Sequence, residues 1–358
     1  MRNWLDTSGD LAHGDPGRIH LEGMSSRAAV EEAREQVATL LGSRPREVVF
    51  TSGATESIAA ATFGARGRDG SGPHMALSAV EHSAVRHWAE RAEATVVGVD
   101  VTGRVDPDEL LDVVGADTAL VHLQWGNHEV GTLQPVADVV AACRERGVLV
   151  HIDAAQAAGR VPIDFDELGA DLMSVSGHKF GGPTGTGALL VRRGLRLPPL
   201  LVGGDQERAR RAGLENLLGL VGLGAAAHEV AGHLDDEQSR SVALTDRVRA
   251  WAAAESGIEV LGAPAADALP HLVCLGIEGV EPQPVLLGLD RAGVAVHSGS
   301  SCSSEALEPS PVLEAMGVDS QRSLRVSVGW DTTDTDIDRL LSALPDVIAG
   351  LRRLGAGS

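Results

Sequence analysis

The chain contains no tyrosine, and among its 30 Lys and Arg residues only position 179 is lysine. The first absence passes every hydroxyl, stacking or proton-transfer role to Ser, Thr, His, Trp or Phe. The second singles out one amine. A G+C-rich coding background turns lysine into arginine wherever charge alone is needed. Arginine stays protonated and cannot attack a carbonyl, whereas a desolvated lysine can form a Schiff base. Cysteine is scarce as well: Cys143, Cys274 and Cys302 are too few and too scattered for a disulfide framework or a zinc site, and no metal is expected. Positive charge is in deficit, with a net charge of -20, which argues against direct nucleic-acid binding because phosphate backbones are held by clustered basic groups. A basic protein partner is compatible with it. No apolar run approaches the roughly 20 residues that span a bilayer, so no membrane contact is expected. Met1-Arg-Asn-Trp-Leu-Asp6 lacks the apolar core of a signal peptide, and a cytoplasmic location is expected.

What is present reads as an α/β protein. Its 358 residues predict one large and one smaller domain. Residues 1–24 carry weak signals and read as extended chain, with an arm over 1–14. A helix capped by Ser25 or Ser26 and closed by Gly42 follows. Short apolar runs at 47–50, 75–79, 95–99, 119–123, 148–152, 172–175 and 187–191 predict strands, and helices between them start near His82, Asp106 and Pro135. That alternation predicts a mostly parallel sheet covered by helices. Helical stretches cover roughly 214–256. Strands near 258–261, 271–277, 294–296 and 323–328 and helices near 283–292, 309–316 and 334–352 predict a second α/β unit. The domains are drawn at 15–235 and 236–358, the smaller carrying the Cys302 loop.

Lys179 follows a short buried strand and precedes a Gly/Pro-rich loop, a strand end of the kind where α/β proteins place ligands. Asp153 ends the neighbouring strand in His151-Ile-Asp153. It could equally cap the next helix. Beside a Schiff-base lysine, however, an acid can keep a pyridinium nitrogen protonated, so that pyridoxal phosphate (PLP) serves as an electron sink. Ala54 and Thr55 start a helix after a strand and a small-residue turn, an arrangement that offers N–H groups to a phosphate. His82 could cap a helix or lie over the ring. Asn127 and Gln156 are amides able to bond a ring hydroxyl, and Ser176 and His178 flank the lysine as phosphate donors. Cys302 sits in His297-Ser-Gly-Ser-Ser-Cys302, a Gly/Ser stretch where a thiol is accessible, unlike Cys143 and Cys274 in apolar settings. Arg325, on an otherwise apolar strand, suits a substrate carboxylate.

The runs TSGATES, EHSAV, GNHEVG, HIDAAQAAGRVPID, SGHKFGGPTGTGAL, ERARRAG, SGSSCSS, PSPVLEAMG and SLRVSVG together resemble a PLP-dependent cysteine desulfurase of the NifS/IscS type, with fold type I, from about Asp15 onward. The resemblance implies that Lys179 holds PLP and that His82 stacks on the ring and helps to move protons. It implies that Asp153 pairs with the ring nitrogen and Gln156 with the ring oxygen. Ala54, Thr55, Ser176 and His178 hold the phosphate, and Asn127 and Arg325 bind substrate. Cys302 takes sulfur from L-cysteine as a persulfide, leaving L-alanine, for a sulfur-acceptor protein, in a homodimer. Three departures stand out. The segment between Leu5-Asp6 and Asp15-Pro16 is short, as if an N-terminal helix were missing. Leu214 follows Arg210-Arg-Ala-Gly213 where a phosphate-binding threonine is usual. His128 stands where a second asparagine is common. Rival readings are a selenocysteine lyase or another C–S lyase on a larger thio-amino acid, an aminotransferase, and a non-catalytic scaffold for a sulfur carrier.

Overall fold

The structure, a computed structural model, describes Trp4, Asp6 and residues 14–298 and 309–355. Seven strands, β1 (Val48–Thr51), β2 (His74–Ser78), β3 (Glu93–Val97), β4 (Thr118–Gln124), β5 (Leu149–Asp153), β6 (Leu172–Ser176) and β7 (Gly187–Val191), form one sheet in the order β1-β7-β6-β5-β4-β2-β3. Pairing is parallel from β6 through β5, β4 and β2 to β3, while β7 runs antiparallel to both β6 and β1. Every residue of β1, β2 and β4 to β7 is buried. A sheet covered on both faces favours near-continuous apolar runs over alternation, and here His122, His151 and Ser174 are the buried polar interruptions of β4, β5 and β6.

The helices are α1 (Leu21–Leu40), α2 (Ala54–Arg66), α3 (Ser83–Ala89), α4 (Pro107–Asp112), α5 (Val136–Glu145), α6 (Phe165–Leu168), α7 (Leu217–Ala254), α8 (Pro282–Arg291), α9 (Pro311–Ala315) and α10 (Asp334–Gly355). One sheet face, with Val121, Val150, Met173 and Leu190, is closed by α1, α5 and the first half of α7. The other, with Leu120, Leu149, Leu172 and Leu189, is closed by Ala61 and Ala65 of α2. A second, antiparallel sheet has the order β10 (His297–Ser298), β11 (Ser323–Ser327), β9 (Leu272–Ile277), β8 (Ile258–Leu261). Its core takes Leu244, Val248 and Ala252 from the second half of α7 together with Ile337, Leu340 and Leu344 of α10. Helix α7 therefore runs through both cores.

Several expectations need correction. The first long helix begins four residues ahead of Ser25: the His20 ring accepts the Gly23 N–H at 3.2 Å and supplies the cap. Gly42 closes it at φ +56°, where an added Cβ would lie 2.6 Å from the Asp164 backbone. The strand expected at 294–296 lies at His297–Ser298. The helical stretch expected over 214–256 is one continuous helix of 38 residues, the one helix among the described residues long and apolar enough, by length and composition only, to cross a membrane. Gly224 serves contact with α1, since a Cβ there would sit 2.5 Å from the Ala33 Cα.

Between β7 and α7 the backbone does something the sequence does not announce. Glu207, Arg208 and Ala209 all have positive φ, of 49°, 59° and 62°. Non-glycine residues in the left-handed region cost of order 1 kcal/mol or more each and persist only where surroundings hold them. Here the hold is Arg34. Its guanidinium donates to both Glu207 oxygens at 2.8 Å, while Glu207 Oε2 also accepts the Phe50 N–H at 3.0 Å, all of it buried.

Candidate functional site

A cavity of about 620 Å³ opens at the C-terminal ends of β4, β5 and β6, where parallel α/β sheets present ligand sites. Lys179 enters it from a 3₁₀ turn, Gly177–Phe180, that follows β6. The turn packs tightly. A Cβ on Gly177 would meet Thr186 Oγ1 at 2.4 Å, and Gly181 takes φ +88° as the chain leaves.

The β1–α2 turn forms one wall, with Ser52, Gly53, Ala54 and Thr55 lining the cavity. Helix α2 takes no side-chain cap, so its first N–H groups are directed outward at a helix N-terminus. Ser176 Oγ pairs with His178 Nδ1 at 3.0 Å beside it. The carboxylate of Glu56 would repel an anion here, but Arg211 donates to it at 2.9 and 3.3 Å and the Ser52 N–H at 2.9 Å. Burial works against ionisation of Glu56, yet those hydrogen bonds outweigh it and hold its carboxyl below the usual range. Gly187 permits the wall: its Cβ would stand 2.6 Å from the Gly53 Cα.

Asp153 is the buried acid of the site, with Oδ1 accepting the Ala155 N–H at 3.0 Å. Burial pushes its carboxyl up, against the pull of His82, the Ala155 N–H, His128 and Lys179. A cationic N–H opposite it would restore the carboxylate. Beneath Asp153 lies a buried polar column. His122 and His151 face each other Nδ1 to Nδ1 at 3.0 Å, His122 Nε2 meets Thr62 Oγ1 at 3.2 Å, and His151 Nε2 meets Ser174 Oγ at 2.6 Å. Because Thr62 donates to the Ile58 carbonyl at 2.8 Å, it accepts from His122. That fixes His122 as the Nε2–H tautomer, His151 as the Nδ1–H tautomer and Ser174 as a donor. Burial pushes the His122 imidazole down to about 3 and His151 down as well, so both are neutral.

The opposite wall brings His82, Gln124, Gly126, His128, Gln156, His297 and Arg325 to the same space. His82 caps α3, accepting the Ala84 N–H on Nδ1 at 3.1 Å. Its ring stands edge to face with His128 at 5.2 Å. Arg325 reaches across from β11 and donates to the His128 carbonyl at 2.9 Å. Asn127 is the residue not brought in. It is fully buried and does not line the cavity; its amide donates to the Val80 carbonyl and accepts the Glu129 and Val130 N–H groups, which shape the turn that presents His128. Cys302 lies outside the described residues. The chain re-enters them at Pro309, and Ser310 Oγ donates to Glu129 at 2.5 Å.

Sequence reasoning missed Glu81, the neighbour of His82. Its Oε1 accepts the Gln124 N–H at 2.8 Å, and Oε2 is buried without a hydrogen-bond partner among the described residues. Burial first, and the charge of Asp153 second, push it up to about 8 against the Gln124 N–H and His128. The fold could hold PLP: uncapped helix N–H groups for its phosphate, Lys179 for its aldehyde and a buried acid for its ring nitrogen meet in one cavity.

Comparison with known proteins places the chain. The aminotransferase class-V family profile matches residues 11–340. A cysteine desulfurase of Gluconacetobacter diazotrophicus is 39% identical over 351 residues, covering 95% of this chain and 88% of that protein. Cysteine desulfurase IscS of Dictyoglomus turgidum is 39% identical over 350 residues, covering 95% and 89%. A solved NifS-like protein superposes with a TM-score of 0.89 at 29% identity, over 98% of this chain and 95% of that one. With most of its length matched by the profile, the chain belongs to the aminotransferase class-V family.

Proposed function

We propose that this protein is a PLP-dependent cysteine desulfurase that converts L-cysteine to L-alanine and captures the sulfur as a persulfide on Cys302 for an acceptor protein. The observation that carries this reading is the convergence of Lys179, Asp153 and the uncapped start of α2 in one cavity with Arg325. The cysteine desulfurases among its relatives support it. PLP, when bound, supplies an electron sink for charge developing at the substrate Cα.

The chain's own residues do the rest. Lys179 anchors the cofactor, Asp153 faces its ring nitrogen, and Gln156 faces its ring oxygen. The N–H groups at Ala54 and Thr55, with Ser176 and His178, hold its phosphate. Arg325 takes the substrate carboxylate, in the bidentate manner a guanidinium allows. Asn127 acts from behind, by shaping the turn, rather than by touching substrate. Exposed Val202, Leu214 and Leu218 are apolar surface that a second copy would cover, in keeping with a homodimer.

Incubation with L-cysteine should give alanine in equal amount to sulfur released or bound, with the first sulfur found on Cys302 by mass spectrometry. Cys302→Ala should remain yellow and PLP-loaded while forming no persulfide. Undiminished sulfide release by that variant, or keto acid instead of alanine, would overturn the assignment.

A further inference from the structure

Behind Lys179 a chain of charged side chains crosses from one unit of the protein to the other. Arg160 donates from Nη2 to the Lys179 carbonyl and from Nη1 to Glu237 Oε1, both at 3.4 Å. Glu237 stands on α7 between Ala227 of the first core and Leu244 of the second. Its carboxylate also accepts Arg240 Nε at 3.0 Å and Arg240 Nη2 at 2.8 and 2.9 Å. Arg240 donates onward to the Gly329 carbonyl at 2.6 Å and to the Thr332 carbonyl. Those two residues close a turn directly after β11, with the Thr332 N–H donating to the Gly329 carbonyl at 3.1 Å. Strand β11 carries Arg325.

A Glu–Arg pair one helical turn apart is ordinary and worth only a few tenths of a kcal/mol on an exposed helix face. What sets this one apart is where its members lead. Each end of the chain bonds a backbone carbonyl, one in the turn that presents Lys179 and one in the turn that follows the strand of Arg325. The middle is not a solvated surface pair, since the side chains of Arg160 and Glu237 are 12% and 20% exposed. Beside it lies a second cavity, of about 420 Å³, with Phe180 of the first unit and Trp330 of the second in its lining. Apolar packing therefore leaves a gap between the units at this point, and the guanidinium–carboxylate–guanidinium chain crosses it.

We propose that Arg160, Glu237 and Arg240 act together as positioning residues that hold the strand of Arg325 in register with Lys179, and so fix where the substrate carboxylate sits relative to the cofactor. This rests on the cysteine desulfurase reading, in which Arg325 takes that carboxylate. Removing Arg160 leaves the Glu237–Arg240 pair whole but frees it from the Lys179 turn. Removing Arg240 leaves Arg160 on Glu237 but frees both from the turn after β11. Either loss breaks the same span, so the second adds nothing to the first.

The test measures, on PLP-loaded protein, the affinities for L-alanine and for ethylamine, the same molecule without its carboxylate, by the change in cofactor absorbance. Residues of one hydrogen-bond network couple by amounts that correspond to about tenfold. Arg160→Met, Arg240→Met and Glu237→Gln should each weaken L-alanine by ~10-fold and leave ethylamine unchanged, with KM for L-cysteine raised to match. Arg160→Met combined with Arg240→Met should cost no more than either alone. Urea midpoints and PLP loading of the same variants record any general loss of stability, which a merely structural role would produce without altering the ratio of the two affinities. The inference is overturned if that ratio stays at the wild-type value in the single variants, or if the two arginine substitutions multiply. Arg325→Leu should abolish the preference for L-alanine; if it does not, or if the wild type makes no alanine from L-cysteine, the functional reading fails and takes this inference with it. A wild type that makes alanine and an Arg325→Leu variant that loses the preference, beside unaffected Arg160 and Arg240 variants, overturn the inference alone.

Discussion

Glu81→Gln isolates what a buried acid costs this fold. The carboxyl is fully buried, one oxygen accepts the Gln124 N–H, and the group is pushed from 4.5 up to about 8, by burial first and Asp153 second. An acid whose folded value is raised binds its proton more tightly when folded. Its contribution is therefore fully present below pH 4.5 and is lost as pH rises through about 8. At ~1.4 kcal/mol per pH unit, the loss from pH 4.5 to beyond 8 comes to roughly 5 kcal/mol, of which roughly 3 kcal/mol is gone at pH 7. Glutamine keeps the acceptor for Gln124 and cannot ionise. Urea midpoints at pH 5, 7 and 8.5, measured in the same cofactor state, should show the variant gaining on the wild type at each step. At about 2.1 cal/mol/K per residue, the same change is worth about 2 °C per pH unit in Tm. Parallel curves across this range would refute the reasoning, because they would mean that Glu81 ionises in the folded protein at its ordinary pH.

Two further changes probe other parts of the frame. Glu207→Ala strips the counter-charge from buried Arg34 and releases the left-handed turn, and should cost about 3–5 kcal/mol, read as a lowered urea midpoint, whereas Arg34→Met with Glu207→Gln should recover much of it. Gly187→Ala places a Cβ 2.6 Å from the Gly53 Cα and should weaken PLP binding by tenfold or more, measured by cofactor titration, with the far-UV spectrum little changed.

Much of the frame was legible because β4, β5 and β6 are mostly apolar, interrupted only at Thr118, His122, His151 and Ser174, and end in polar residues, and those endings, Gln124, Asp153 and Ser176, are where the cavity opens. Lys179 stood out by composition alone. What stayed hidden depends on partners distant in sequence. Glu81 looks like an ordinary exposed acid before a cap until Gln124 closes over it. Asn127 looks like a ligand because amides at strand ends often are, yet three backbone groups absorb its side chain. The turn at Glu207 cannot be read from its arginines without Arg34, 173 residues away. Gly224 of α7 resembles a break until Ala33 of α1 is laid against it.

Helix α7 contributes Leu220, Leu223 and Ala227 to one core and Leu244, Val248 and Ala252 to the other. The cavity has Arg325 and His297 from the second unit facing Lys179 and His82 from the first. The two walls of the cavity are therefore tied to each other through a single continuous helix of 38 residues, and a substitution in either core is felt along that one helix.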